Sequence, residues 1–289
     1  MRRENCGTEA TMSISPRLLL YVECDRCKQS WSIDSGLLPA PVRAQTLTCQ
    51  SCKNQFSVSQ GILNHFCSEN IFAAYIIKSS WIEVGTTNIQ TGQIAAVNFA
   101  TTPAKVFKIF LTPLGSRPVI LEPTHTTAKG FNILSSTLPG EPPTSAMVNW
   151  TAFGESEGYR AVPWKQALAD SKSYELQKDS NMEVVTSELA FELFVDEFLR
   201  NKVRLRPNTM ARLLRRTIEE KVSIWYAEAT GQSLGTQFPS QYAAWQKNTK
   251  EVRDRVIHKG YQTNPQQGKD AFKAAIELIS RIDEDWFLR

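Results

Sequence analysis

Four of the six cysteines stand as two C-x-x-C pairs, Cys24/Cys27 and Cys49/Cys52, with 21 residues between the pairs. No other feature of the 289 residues restricts the fold so sharply. A C-x-x-C turn aims two thiolates at one point, and two such turns complete a tetrahedral four-sulfur set that suits Zn2+. All six cysteines precede residue 68. In a chain without a secretion signal such pairs imply metal rather than disulfide. A closed four-sulfur site leaves no position for water. The expected Zn2+ is therefore structural, folding a unit whose apolar core is too small to stand alone. Cys6 and Cys67 fall outside the spacing and read as a loose thiol and a small buried residue. His65 lies near the end of this region, but four sulfurs already suffice.

Short strand-like runs, SWSI and QFSV, follow the two pairs. The region 19–69 thus resembles the small zinc ribbons that head many prokaryotic regulators. Residues 1–18 are expected to be a flexible N-terminus, with Met12 as an alternative start. The run LLLYV is too short for a signal-peptide core. The longest apolar run elsewhere, IFAAYII, falls far below the roughly 20 residues that span a bilayer. The reading is a cytoplasmic protein without a membrane partner. Hydrophobic content of 42% and charged content of 21% are those of a folded globular chain. The net charge of +4 is too small to argue a polyanionic partner by itself. No internal repeat or low-complexity tract stands out.

Composition changes at about residue 70. Residues 70–157 are poor in charge and alternate in short runs: WIEVGTTNIQ, QIAAVNFA, KVFKIFLTP, PVILEPT, GFNILSS and AMVNWTAFG, separated by turn signals. Short strands at such spacing predict an all-β sandwich or barrel. Alternation alone makes Phe131 and Trp150 core residues. The stretch also resembles the H-type lectin family, in which a sandwich of about six strands ends with a Gly-Phe strand and a Trp-x-Ala-x-Gly strand. Here those residues are Gly130, Phe131, Trp150, Ala152 and Gly154. The resemblance implies a glycan or a phage-derived ligand as partner, or a trimerising role. No polar residue carries over as a sugar contact. The loop EPTHTTAKG, with His125, is where function would lie.

Residues 158–289 change to a helical period. Val184, Val185, Phe191, Phe194, Val195, Phe198 and Leu199 mark one helix. A second is expected over 208–231, capped by Asn208 or Thr209 and stopped by Gly231. A third runs from Ser240 to Gly260, and a fourth begins at Asn264 and Pro265. A shorter helix, PWKQALADSKSYELQ, precedes them. The whole reads as an all-α four-helix bundle.

The third helix ends in EVRDRVIHKG. Asp254 and His258, at i and i+4, share a face, and Arg255 sits three residues before His258. Arg253 is about 140° around, with a side chain long enough to reach across the helix end. A carboxylate beside a histidine sets its tautomer and basicity. A guanidinium suits a phosphate. Arg plus His beside a phosphodiester is the minimum for metal-free RNA cleavage. Against this, cations at a helix C-terminus are favoured by the macrodipole, and R-x4-H occurs often by chance.

VRDRVIHKG preceded by SELAFELFVDEFL resembles the HEPN superfamily, whose signature is R-x4-6-H. The resemblance implies Arg253 as the signature arginine, Asp254 as the polar position and His258 as the catalytic histidine. It also implies metal-independent endoribonuclease activity, with a composite site across a homodimer or higher homo-oligomer. The setting it implies is prokaryotic antiviral defence or toxin-type growth arrest. Structural Zn2+ is then the cofactor, with no catalytic metal, and RNA is the substrate. Arg255, Lys259, Arg212, Arg215 and Arg216 are the expected RNA-backbone contacts. Arg200 to Arg216 carries seven basic residues and no acid. Glu192 interrupts an apolar run and calls for a partner such as Arg253 or Arg255.

The expected fold class is thus multidomain α+β: a small zinc ribbon (19–69), a lectin-like all-β sandwich (70–157) and a C-terminal all-α HEPN-like domain (158–289). The alternative is a non-enzymatic ligand- or glycan-binding sensor whose bundle only dimerises. A transcriptional regulator built on the ribbon is the third reading, and no recognition helix supports it.

Overall fold

The computed structural model describes residues 19–34, 45–68, 81–114, 119–137, 144–156, 162–203 and 207–283, with single residues 79, 139 and 142. The expected flexible N-terminus, Cys6, Arg204, Arg206 and the last six residues lie outside the described residues. The chain is mixed α+β, with small antiparallel sheets and a helical C-terminal region. It divides into two units, Met1–Ile62 and Leu63–Arg289.

The first unit holds two hairpins. Strand β1 (Leu19–Glu23) pairs with β2 (Ser30–Asp34), and β3 (Thr46–Thr48) with β4 (Gln55–Ser57). Each hairpin turns through one C-x-x-C pair. The hairpins are copies of one another: CDRCKQSWSI and CQSCKNQFSV match at both cysteines and at the following lysine, amide, aromatic and serine. In register, Val22 faces Trp31 as Leu47 faces Phe56. The two aromatic rings meet edge to face with centroids 5.7 Å apart. This is an internal repeat that the sequence reading overlooked, because ten residues are too few to stand out without a shared geometry. Helix α1 (Val58–Cys67), also not expected, follows β4 directly. Its Gly61 lies so close to Phe56 and Val22 that an added Cβ would stand 2.6 Å from the phenyl ring.

The second unit contains six strands at the six expected runs: β5 (Trp81–Gln90), β6 (Ile94–Asn98), β7 (Lys105–Leu114), β8 (Val119–Thr124), β9 (Gly130–Thr137) and β10 (Ser145–Glu155). They form two three-stranded antiparallel sheets, ordered β5-β10-β7 and β6-β9-β8. Alternate residues of both sheets build one core: Ile89, Val97, Ile109, Phe131, Ile133, Val148, Trp150 and Ala152. Phe131 and Trp150 are core residues, as alternation predicts, with rings T-shaped at 5.5 Å. Two glycines exist for contact. A Cβ on Gly85 would fall 2.4 Å from the Trp150 indole, and one on Gly130 would fall 2.0 Å from the Val97 carbonyl oxygen.

The helices are α2 (Pro163–Gln177), α3 (Ser180–Lys202), α4 (Pro207–Leu214), α5, a short α6 (Leu234–Gln237), α7 and α8 (Pro265–Ile282). Helix α5 runs as Ile218–Glu220, a π turn at Lys221–Trp225 and Tyr226–Thr230. Helix α7 does the same through Pro239–Trp245, a π turn at Gln246–Lys250 and Glu251–Lys259. Each π turn shows the five-residue hydrogen bond that defines it: Tyr226 N–H to the Lys221 carbonyl, and Glu251 N–H to the Gln246 carbonyl. Helix α3 is central, packing on α2, α8 and α7. A line of aromatic contacts fixes the packing: Trp164 on Phe194, Phe191 on Trp245 and Phe198 on Tyr226.

The expected second helix over 208–231 is in fact two. Arg215 and Arg216 close the first with three-residue turns to Arg212 and Leu213. The Thr217 hydroxyl then opens the second by accepting from the Glu220 N–H. The third helix begins at Pro239, one residue before the expected Ser240, because proline suits the first helical position. Asn264 and Gln267 form a capping box at the start of α8.

Candidate functional site

The sulfurs of Cys24, Cys27, Cys49 and Cys52 all lie within 4.8 Å of one another. Cys24 approaches Cys52, and Cys27 approaches Cys49, at 3.5 Å each. Four sulfurs held about 2.3 Å from one ion would stand nearly that far apart, so the set fits a tetrahedral metal. The knuckles are built alike. Cys24 N–H bonds the Gln29 carbonyl and Lys28 N–H returns to Cys24, while Cys49 N–H bonds Asn54 and Lys53 N–H returns to Cys49. Both lysines take a positive φ of 61°. Each knuckle's amide also grips the other: Asn54 donates to Asp25 at 2.6 Å, and Ser51 donates to Gln29. The protein's own groups act unequally on the thiols. The Cys52 backbone N–H pulls Cys49 down to about 7. Cys27, despite a backbone bond from Gln29, is pushed up to about 12, chiefly by the Cys49 sulfur. A metal ion held by the four sulfurs would stabilise all four thiolates together. Among the described residues His65 belongs to no such set. It is buried, and burial together with the Lys172 charge lowers it to about 4. Cys67 is half-buried, its thiol raised to about 12 by burial and by Glu277.

The second candidate lies where α7 ends. Gly260 takes φ 61°, a left-handed value that glycine adopts freely. The N–H groups of Gly260 and Tyr261 both return to the Arg255 carbonyl. This sharp stop leaves His258 exposed in the last turn. A depression of about 610 Å³ opens there, lined by Lys247, Asn248, Glu251, Val252, Asp254, Arg255, His258, Lys259, Gln267 and Asp270. His258, Asp254, Arg255 and Lys259 are therefore brought together as the sequence pattern predicts. Lys247 joins them. It stands eleven residues before His258, inside the π turn; eleven residues make three turns of a regular helix, so helical spacing offered a signal for it that the sequence reading passed over.

Arg253 does not line the depression. Its guanidinium donates to Asp254 at 3.0 Å and acts on Glu192 and Glu188 of α3. Burial raises the Glu192 carboxyl, and the charge of Arg253 works against that rise, but among the described residues no ion pair or hydrogen bond joins the two. The expected orientation of His258 by Asp254 is also absent: among the described residues no hydrogen bond joins them. Asp254 is taken by Arg253 and by Lys250, 3.5 Å away. Burial works to raise the Asp254 carboxyl, but these two cations hold it below the usual carboxylate range. Lys250 in turn pairs with Glu219 of α5. Arg212, Arg215 and Arg216 are exposed on α4 and the turn after it, and none lines the depression.

No family model, curated protein or solved structure matches this chain.

Sequence reasoning missed the most deeply buried carboxyls. It singled out Glu192, which is half-buried, whereas Glu183 and Glu188 are 1% and 2% exposed. Glu188 lies one turn from Glu192, accepts a hydrogen bond from Trp245 and is raised to about 8 by burial and by Glu192. Glu183 sits against α8, where Gly268 leaves it room; a Cβ there would stand 2.1 Å from the carboxylate. Burial and Glu175 raise it to about 8. Lys172, also buried, bonds Glu175 and the Ser68 carbonyl. The pairing of glutamate with a glycine on another helix has no signature in a single chain. In the β zone, His125 is exposed at a loop with φ 48°. No helix among the described residues is long and apolar enough to cross a membrane.

Proposed function

We propose that the chain is a metal-independent endoribonuclease of the HEPN type. One observation carries this reading: His258 is exposed in a depression whose wall also presents Arg255, Lys259 and Lys247. Its imidazole takes the proton of an RNA 2′-hydroxyl. The 2′-oxygen attacks phosphorus, the bond to the 5′-oxygen breaks, and that oxygen takes back the proton held by the imidazolium, giving a 2′,3′-cyclic phosphate and a 5′-hydroxyl. Arginine and lysine stabilise the charge that develops on the phosphoryl oxygens. Within one chain Arg255 is the guanidinium on the His258 side. Arg253, as the signature arginine, reaches phosphate only across a homodimer or after leaving Asp254. Arg212, Arg215 and Arg216 extend the contact along the RNA backbone.

The four-cysteine site is read as structural Zn2+, since a closed thiolate set holds that ion without a water position. The two three-stranded sheets are read as a lectin-like module that binds a glycan or phage-derived ligand, or assembles copies of the chain. Gly130-Phe131 at the start of β9 and Trp150-x-Ala152-x-Gly154 in β10 support that reading. Such a module would restrain a toxic nuclease in the cytoplasm.

The second reading is a non-enzymatic sensor whose helices only dimerise. The hydrogen bond of Arg253 to Asp254 favours it, because a structural arginine would be held in this way. Cleavage of single-stranded and total RNA by purified protein in EDTA decides between them, with His258→Ala and Arg253→Ala alongside. Folding is followed in parallel, since a chelator can strip a structural metal. Cleavage lost in His258→Ala but present in wild type supports the enzyme. Equal cleavage by both removes His258 from the site, and no cleavage with candidate triggers supplied sinks the enzyme reading.

A further inference from the structure

Tyr261 follows the Gly260 stop, and its ring lies beneath the Arg255 guanidinium at 4.8 Å. Its hydroxyl accepts a 3.2 Å hydrogen bond from the Gln267 amide. Arg255 and Gln267 both line the depression that holds His258, so the ring stands at its rim. The ring is locked from two sides yet remains 36% exposed. A tyrosine fixed in this way loses little entropy when a flat partner lies against it. A guanidinium stacked on an aromatic ring, beside cations suited to phosphate, is the surface on which unpaired nucleobases stack. A paired base has both faces covered by its neighbours and cannot use it.

We infer that Tyr261, backed by Arg255, is a stacking platform for an unpaired nucleobase adjoining the phosphate at His258, and that it restricts the site to single-stranded RNA. This rests on the ribonuclease reading but is tested apart from cleavage. The probe is a 2′-O-methyl oligonucleotide carrying 2-aminopurine, which lacks the attacking hydroxyl and is not cut. Binding to the full chain is followed by anisotropy, and stacking by quenching of the 2-aminopurine. Wild type and Tyr261→Phe should bind the single strand and quench it, and should bind the same sequence as a duplex more weakly. Tyr261→Leu, shown folded by circular dichroism, should lose the quenching and about tenfold in affinity. Unchanged binding and quenching in Tyr261→Leu would overturn the platform, as would an equal loss in Tyr261→Phe or equal affinity for the duplex. Each leaves the cleavage test of His258→Ala standing on its own.

Discussion

The indole Nε1 of Trp245 donates a 3.0 Å hydrogen bond to the Glu188 carboxyl, and both side chains are buried. Trp245 is the last residue before the π turn of α7. The bond therefore ties α3 to α7 where the register of α7 changes, ahead of the turn that carries Arg253. Trp245→Phe keeps most of the packing but leaves the carboxyl without this donor. It should lower stability by about 1–3 kcal/mol in urea denaturation. Glu188→Gln, whose amide oxygen can still accept, should cost less at neutral pH.

Glu183 and Glu188 make stability depend on pH in a definite direction. Each titrates near 8 in the folded chain and near 4.5 when unfolded. Between those values the unfolded chain releases protons that the folded chain keeps. Stability therefore falls as pH rises through this window, by at most about 1.4 kcal/mol per pH unit for each group. His65 acts on the other side: lowered to about 4, it favours unfolding as pH drops below 6.5. Melting curves from about pH 5 to about pH 8.5, spanning this window, should show Glu183→Gln losing less stability towards high pH than wild type. An identical slope would mean that Glu183 is ionised in the fold.

The four sulfurs should hold one metal ion per chain. Cys24→Ser and Cys49→Ser, each removing a buried ligand, should abolish stoichiometric metal in the purified protein, measured by elemental analysis. Co2+ substituted into the wild type should show thiolate charge-transfer absorption. Metal retained at full stoichiometry in both variants would refute a four-thiolate site.

Gly85→Ala should weaken the sandwich, because its new methyl would meet the Trp150 ring at 2.4 Å. Overpacking of this kind costs about 1–3 kcal/mol. Urea unfolding followed by circular dichroism reads the shift in midpoint. A midpoint equal to wild type would show that the indole moves aside freely.

The exposed Arg212, Arg215 and Arg216 test the nucleic-acid reading by salt. If they neutralise backbone phosphates, the triple alanine variant should bind single-stranded RNA more weakly whatever its sequence. Its plot of log affinity against log salt should flatten by about 0.7 for each phosphate left without its arginine. An unchanged slope would place RNA elsewhere.

Some of this architecture is legible along the chain and some is not, for physical reasons. The six strands follow from two-residue alternation, and the glycine stops at 231 and 260 from helix chemistry. Helix α3 is less legible. Glu183 and Glu188 are buried while Leu189 is exposed, the reverse of what residue type predicts. Hydrogen bonding from Trp245 and the space above Gly268 outweigh hydrophobicity there, and both come from other helices. The break at Thr217 carries a capping residue, but the apolar period around it hides the cap.

The sequence by itself determined the metal-ligand set, because two C-x-x-C turns can converge on one ion in few other ways. It also determined the strand and helix periods and the neighbourhood of His258 and Arg255, one turn apart on one helix. Only the tertiary structure decided where Arg253 points. Its guanidinium is hydrogen-bonded to Asp254 beside it and stays off the lining of the depression at His258, while its charge is felt by Glu188 and Glu192 of α3, far earlier in the chain. Local spacing sets which residues share a turn, but the balance of charge around a long, flexible side chain is settled by whatever packs against it.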